Sequence, residues 1–465
     1  MAMAGFFSMP RWSRGRLLRR SREIASALTR HSLGWLVTQV GLGGLVPFEK
    51  GWLGHPAREM PYTQAEHLRM ALSELGATFI KLGQSLSTRP DFIPPGYAAE
   101  LSKLQDAAPP VPFEEICQVI CDELGQSPEF IFDEFDPQPL ASASIGQVHA
   151  GKLKNGRSVI VKVQRPRVAE QIEEDLEILF GMVDWAQEHA ATAREYNLHA
   201  LVDEFAFTIR NELDYRREGQ NADRFRRNFD GDPAIYIPRV HWEFTTDRVL
   251  TMERVGGVKV GDMAALDQAG IDRRIVADNS VHLMLREVFE FGLFHADPHP
   301  GNMRWGNDDK IYLFDLGMVG ELEAPVRDAM MMVVLALWQE DAHFLADSVL
   351  SLAEHDDIDV EAFTADVERV MKSFSGKSLR DIQLGPLLQE MTTISMVHGV
   401  RLPASLALTA KALAQMQLAT AELTPELDPF AVAGRYLMRH IVARVGAKIA
   451  PGNMLYEASK ISARA

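Results

Sequence analysis

Cysteine is nearly absent: Cys117 and Cys121 are the only two in 465 residues. They lie four apart, and no further cysteines exist to complete a zinc site around them. So few thiols in so long a chain suit a reducing compartment. Long apolar runs are missing too. The stretch HSLGWLVTQVGLGGLVPF (31–48) is diluted by glycine and polar residues, and AMMMVVLALW (329–338) is short of the roughly 18–20 residues a bilayer demands. No transmembrane helix is expected. Excess positive charge is also lacking: the net charge is −16, which argues against nucleic acid as a partner. No internal repeat or low-complexity linker is visible. What remains is ordinary globular composition, 46% hydrophobic and 24% charged, in a chain long enough for two lobes or for two to three small domains.

Against this acidic background the N-terminus stands apart. Residues 11–30 carry seven arginines, and Glu23 is the first acidic residue. Phe6, Phe7, Trp12, Leu17 and Leu18 are interleaved with them. Such a segment fits an interfacial helix on anionic lipid, an organelle-targeting peptide, or a solvated basic tail. It lacks the apolar core of a secretory signal.

Beyond residue 60 the spacing of apolar residues predicts one helix over TQAEHLRMALSELGATFIKLGQSLS (63–87), ended by RPDFIPPG. A helix in AELSKLQDAAPPVP and another over 112–125 follow. The period then changes. SIGQVHAGKL and SVIVKVQ read as strands around KNGR, and Asn-Gly between two such runs signals a hairpin. Helices are expected at 168–190 and 198–228, and strands near VHWEFTTDRVLTMERV (240–255). From 262 onward the pattern is helical except for RWGNDDKIYLFDLG (304–317). A small mixed lobe precedes a large helical one.

Chemistry concentrates in FHADPHPGN (294–302). His295, Asp297 and His299 are metal-ligand types, but Pro298 and Pro300 forbid a regular strand, so a tight loop is expected. Asp297 precedes Asn302 by five residues, and Asn302 precedes Asp315 of LFDLG by thirteen. That spacing is similar to the protein-kinase catalytic loop and Asp-Phe-Gly turn, where an asparagine and an aspartate converge on Mg²⁺. Asp297 would then face the attacking hydroxyl or water. Upstream, Lys162 sits mid-strand among valines, where a buried ammonium needs an anion. In a kinase it grips phosphate and pairs with a helix glutamate. Glu212 and Glu218 are the candidates; being six apart they face different ways on one helix. Glu218 is assigned to Lys162. Where a kinase carries G-x-G-x-x-G, this chain has ASASIGQV (141–148); Ala and Ser do not take the positive φ open to Gly, so this loop should be stiffer.

Taken together, residues 62–320 resemble the UbiB/AarF family of atypical kinase-like proteins. FIKLGQSLSTRPDFIPP matches its Lys-x-Gly-Gln signature (Lys81, Gly83, Gln84), LASASIGQV its Ala-rich loop, and NELDYRREGQNADRF its Glu-x-Asp motif (Glu212, Asp214). FHADPHPGN and LFDLG match its catalytic and metal-binding motifs. The resemblance implies an α+β, protein-kinase-like two-lobed fold: an arm over 1–60, an N-lobe with a helical extension over 61–255, and a mainly helical C-lobe over 256–465. It implies that the extension folds over the active site, with Lys81, Gln84, Glu212 and Asp214 as lid residues. ATP and Mg²⁺ are the implied cofactors. Lys162 and Asp297 would be catalytic, and Asn302 and Asp315 would hold the metal. Ala141, Ser142, Ala143, Ser144, Lys162, Glu218, Glu253 and Val255 would line the nucleotide site. After LFDLG the chain runs into MVGELEAPVRDAMMMVV with no long activation segment, so a protein substrate is not expected. The activity implied is that of an ATPase in ubiquinone or other isoprenoid-lipid synthesis. A small-molecule or lipid kinase and a nucleotide-switched scaffold are its rivals. A cytoplasmic location, peripheral at the inner membrane face, follows from the basic arm and the family's lipid role, with anionic lipid and quinone-pathway enzymes as partners.

Overall fold

The computed structural model describes residues 11–31, 33, 62–87, 92–104, 108–189, 198–352, 358–374, 384–400, 404–424 and 432–438. Most of the 31–48 stretch and the charged C-terminal tail from residue 439 lie outside these. Contacts divide the chain into two units, Met1–Gly219 with Val240–Arg254, and Gln220–Arg239 with Val255–Ala465. Among the described residues no helix is long and apolar enough to cross a membrane.

The first unit is built on an antiparallel sheet. Its strands run Phe132–Phe135, Gly146–Leu153, Ser158–Gln164 and Val249–Glu253 across the sheet, with Ala141–Ser142 beside Gly146–Leu153. The KNGR turn closes the central hairpin, pairing Lys152 with Ser158, and Gly156 takes φ +83° there. Val159, Val161 and Val163 alternate inward, against Ile116 and Ile120 of the helix Phe113–Leu124.

A second core belongs to the helical extension. The stretch expected as one helix is two, Gln64–Leu75 and Ala77–Ser87, broken at Gly76 with φ +93°. Only glycine takes that backbone readily. Thr63 opens the first of them with a capping box to Glu66. The basic segment is a helix, Arg11–Arg30, and Leu17, Ile24, Ala25 and Leu28 are buried in this same core. A solvated tail would have left them in water. Arg20 reaches into the core, donating to both oxygens of the fully buried Asp175 (2.7 and 3.1 Å) and to the Leu75 carbonyl. Thr78 donates to the same carboxylate at 2.6 Å.

The expected helix over 198–228 is also two, Leu198–Glu212 and Tyr215–Asn228. Nothing in NELDYRR forces a break by propensity. Two tertiary bonds and a local cap do: Gln164 donates to the Leu213 carbonyl, Tyr215 N–H to the Asp247 carbonyl, and the Asp214 carboxylate caps Arg216 N–H two residues on. Glu212 and Asp214 therefore flank a helix junction.

The second unit carries more strand than its sequence suggests. Ile235–Tyr236, Ile311–Leu313, Met303–Trp305 and Val258–Lys259 form one sheet, and Leu293–His295 pairs with Val319–Glu321. All are two or three residues long, too short for period-2 alternation to show. The rest is helical, including Arg273–Leu285, Ala324–Gln339 and Ala404–Leu423.

Candidate nucleotide and metal site

In the first unit Lys162 lies on the strand Ser158–Gln164, and its Nζ meets Glu218 Oε2 at 2.7 Å. Its ammonium also sits 5.0 Å from the centre of the Tyr215 ring, a cation–π contact that fixes the approach of the side chain. Lys81 Nζ meets Glu212 Oε2 at 2.8 Å. The two glutamates serve two lysines because the junction at Leu213–Asp214 puts them on separate helices. On the Lys81 helix, Gln84 donates to the Leu104 carbonyl at 3.1 Å. Gly83 is there for space, since a Cβ would fall 2.3 Å from Leu104 Cδ1 and 2.9 Å from Leu72 Cδ1.

The Ala-rich loop closes without any left-handed residue: positive φ occurs at none of Ala141 to Gly146. Ala143 N–H donates to the Gly146 carbonyl (2.8 Å), so that donor is engaged within the turn. Arg165, which no motif singled out, braces the loop from behind. It donates to the Ala143 carbonyl (2.8 Å), the Ser142 hydroxyl (2.9 Å) and the Pro109 carbonyl (2.7 Å). Burial lowers its pKa. Gly146 leaves room for a neighbour: a Cβ would stand 2.3 Å from the Tyr215 hydroxyl and 2.7 Å from the Val163 carbonyl. Glu253 ends the strand Val249–Glu253, and Val255 follows where the chain passes from the first unit into the second.

In the second unit the strand Leu293–His295 delivers the loop Ala296–Asn302. His295 is buried, and its Nδ1 accepts from Asp297 N–H at 3.1 Å, so it shapes the loop. Burial pushes its pKa down against the raising charges of Asp315 and Asp297. His299 is exposed and caps Gly301 N–H through Nδ1 (3.0 Å). Behind the strand, Glu287 accepts from His295 N–H at 3.0 Å; burial pushes this carboxyl up to about 8, so it is protonated at neutral pH.

The thirteen-residue step from Asn302 to Asp315 is the length of a hairpin. Met303–Trp305 pairs with Ile311–Leu313, Met303 opposite Leu313, and Phe314 N–H donates to the Asn302 carbonyl at 3.3 Å. Asn302 and Asp315 thus emerge at the same end of one ribbon. Asn302 Nδ2 lies 3.4 Å from the Asp297 carbonyl, and Asp315 Oδ1 accepts from Gly317 N–H at 3.2 Å. An amide oxygen and a carboxylate are hard donors that suit Mg²⁺. The Asp297 carboxylate accepts from Gln415 Nε2 at 2.9 Å, a partner the sequence did not disclose.

Residues 103–349 match the ABC1 atypical kinase-like domain, and 367–428 match the UbiB helical domain. The chain belongs to the UbiB family of atypical kinase-like proteins. Curated UbiB relatives run along almost its whole length. Proteins named "Probable protein kinase UbiB" from Azotobacter vinelandii and from Pseudomonas aeruginosa are each 35% identical to it, covering 94% and 93% of this chain and 83% of theirs. Among solved structures, the Rv3197–erythromycin complex from Mycobacterium tuberculosis is similar with a TM-score of 0.56 and 26% identity, over 80% of this chain and 95% of that one. The kinase-like fold read from the motif order is therefore the fold of the family. Of the residues missed, Arg165 had a local signal, an arginine one residue beyond the lysine strand. Gln415 had none nearby, being 118 residues from Asp297.

Proposed function

We propose that this chain is a Mg²⁺-dependent ATPase of the atypical kinase-like type, supporting the synthesis of ubiquinone or another isoprenoid lipid. The reading rests on one observation above all, the hairpin that puts Asn302 and Asp315 at one end of a ribbon with Asp297 in the loop that leads into it. Kinase chemistry is mostly positioning and charge neutralisation, so this is the geometry it needs. Asn302 and Asp315 would hold Mg²⁺, which when bound offsets charge on the β- and γ-phosphates. Lys162 would turn its ammonium to phosphate while Glu218 holds it in place. Ala141, Ser142, Ala143 and Ser144 would line the phosphates, and Glu253 and Val255 the adenine. Asp297 would orient a water or small hydroxyl and accept its proton. Lys81, Gln84, Glu212 and Asp214 would form the lid. Only the strand Val319–Glu321 stands between Gly317 and the helix that starts at Ala324, which leaves little to dock a protein acceptor.

Quinone-pathway enzymes and an anionic membrane surface are the proposed partners, with the protein peripheral at the inner face of the membrane. The test is Mg²⁺-dependent phosphate release from ATP, with and without anionic lipid vesicles, for the native protein and for Asp297→Asn and Asp315→Asn. Turnover abolished in both variants, and raised by vesicles, is the expected result. ATP binding without phosphate release under any condition would sink the ATPase reading and leave two rivals. Transfer to an added small hydroxyl compound would then mark a kinase, and its failure a nucleotide-switched scaffold.

A further inference from the structure

The helix Ala404–Leu423 lies in the region that matches the UbiB helical domain, outside the part that matches the kinase-like domain. Ala412, Met416, Ala419 and Leu423 are buried along one face of it, at helical spacing. It packs against the helix Arg273–Leu285 and against the strand Val319–Glu321, the partner of Leu293–His295. The helix is thus locked to the ribbon from which Asp297 projects. From the border of that buried face Gln415 sends its amide to Asp297 Oδ1, at 2.9 Å.

We infer that Gln415 is a positioning residue for Asp297. An ionised carboxylate only accepts hydrogen bonds, so the contact fixes the amide with Nε2 toward Asp297 and Oε1 away. Gln415 Oε1 is buried and makes no hydrogen bond among the described residues. A buried carbonyl left this way costs stability that a leucine or methionine at the same place would avoid. What the glutamine supplies in return is a donor on the carboxylate. That donor holds the Asp297 rotamer where its carboxylate can meet a nucleophile. Within the loop the hydrogen bonds to Asp297 reach its backbone, through His295, His299 and Asn302. The side chain is oriented from the helical domain.

The inference rests on Asp297 acting on the nucleophile, and the experiment separates the two ideas. Phosphate release from ATP is followed for native protein, Gln415→Leu and Gln415→Glu. Gln415→Leu should lower kcat about ten-fold with KM for ATP within two-fold. Gln415→Glu, of the same shape but without the donor, should lower kcat at least as far, again with KM little changed. A kcat unchanged in both variants would overturn the assignment. A native protein with no turnover would instead end the ATPase reading. The contact is then read from melting temperatures: Gln415→Glu should lower the melting temperature more in the native background than in Asp297→Asn, where no second carboxylate faces it. An equal loss in both backgrounds would overturn the pairing on its own. The melting series also serves should Gln415→Leu not fold.

Discussion

Two cation–carboxylate pairs in the first unit share a 2.7 Å separation and are of opposite character. Arg20 meets Asp175, whose side chain is wholly inaccessible, and the carboxylate also accepts from Thr78. Lys162 meets Glu218 with the lysine side chain still 27% exposed. Arg20 is saturated on purely structural groups: burial alone would lower its pKa, and Asp175 and Glu23 reverse this and leave it raised. The Lys162 pair packs beside the Tyr215 ring, and its ammonium stays reachable. Distance therefore does not separate a closed ion pair from an open one. The access left to a ligand does.

Four substitutions and conditions sharpen this contrast. Asp175→Asn keeps the shape but leaves the part-buried Arg20 guanidinium with the exposed Glu23 as its counter-charge, and should destabilise the protein by about 3–5 kcal/mol. Urea unfolding checks it, and a loss below about 1 kcal/mol would show that Glu23 and water suffice for Arg20. Lys162→Met should do the reverse: phosphate release falls at least ~100-fold, about 2.7 kcal/mol in barrier, while the stability loss stays below that of Asp175→Asn. Equal damage to stability and activity would erase the distinction between the pairs. Gly146→Ala probes the packing beside Lys162. Its methyl must displace the Tyr215 phenol and the Val163 carbonyl, at a cost of about 1–3 kcal/mol, with a fall in ATP affinity measurable by calorimetry.

The smallest effect is expected from pH. His149 is buried, stacked on Phe135 and near Phe113. It donates through Nδ1 to the Asp136 carbonyl and accepts at Nε2 from Gln147, whose Oε1 accepts from Val111 N–H. Burial lowers its pKa despite the raising influence of Asp136. As pH falls below about 6.5 the unfolded chain takes up a proton that the folded chain refuses, so stability present above that pH is lost going down. Denaturant midpoints at pH 7.5 and 5.5 should differ less in His149→Gln than in the native protein. Equal differences would show that His149 does not carry the effect.

The contrast also explains what the sequence disclosed. The loop and hairpin that carry Asp297, Asn302 and Asp315 were legible because their geometry is local: five residues of loop and thirteen of hairpin leave few alternatives. Lys162 was legible because an ammonium among valines is anomalous. The helix junction at Leu213–Asp214 was not, because bonds from Gln164 and to Asp247 impose it on a stretch with good helix propensity. The burial of the Arg11–Arg30 helix was hidden for the same reason. Leu17, Ile24 and Leu28 mark an apolar stripe, but the Asp175 that accepts Arg20 lies 155 residues away. Gln415 is the extreme case, a neutral amide in an alanine-rich helix whose meaning exists only beside Asp297.

That separation of 155 residues is also a length of time. During synthesis at roughly 5–20 residues per second, Arg20 leaves the ribosome about 8–30 s before Asp175 does. For that interval the arginine-rich helix is an amphipathic segment without its anionic anchor. The pairing that anchors the amino-terminal helix therefore waits on translation: it closes only on a segment made after it.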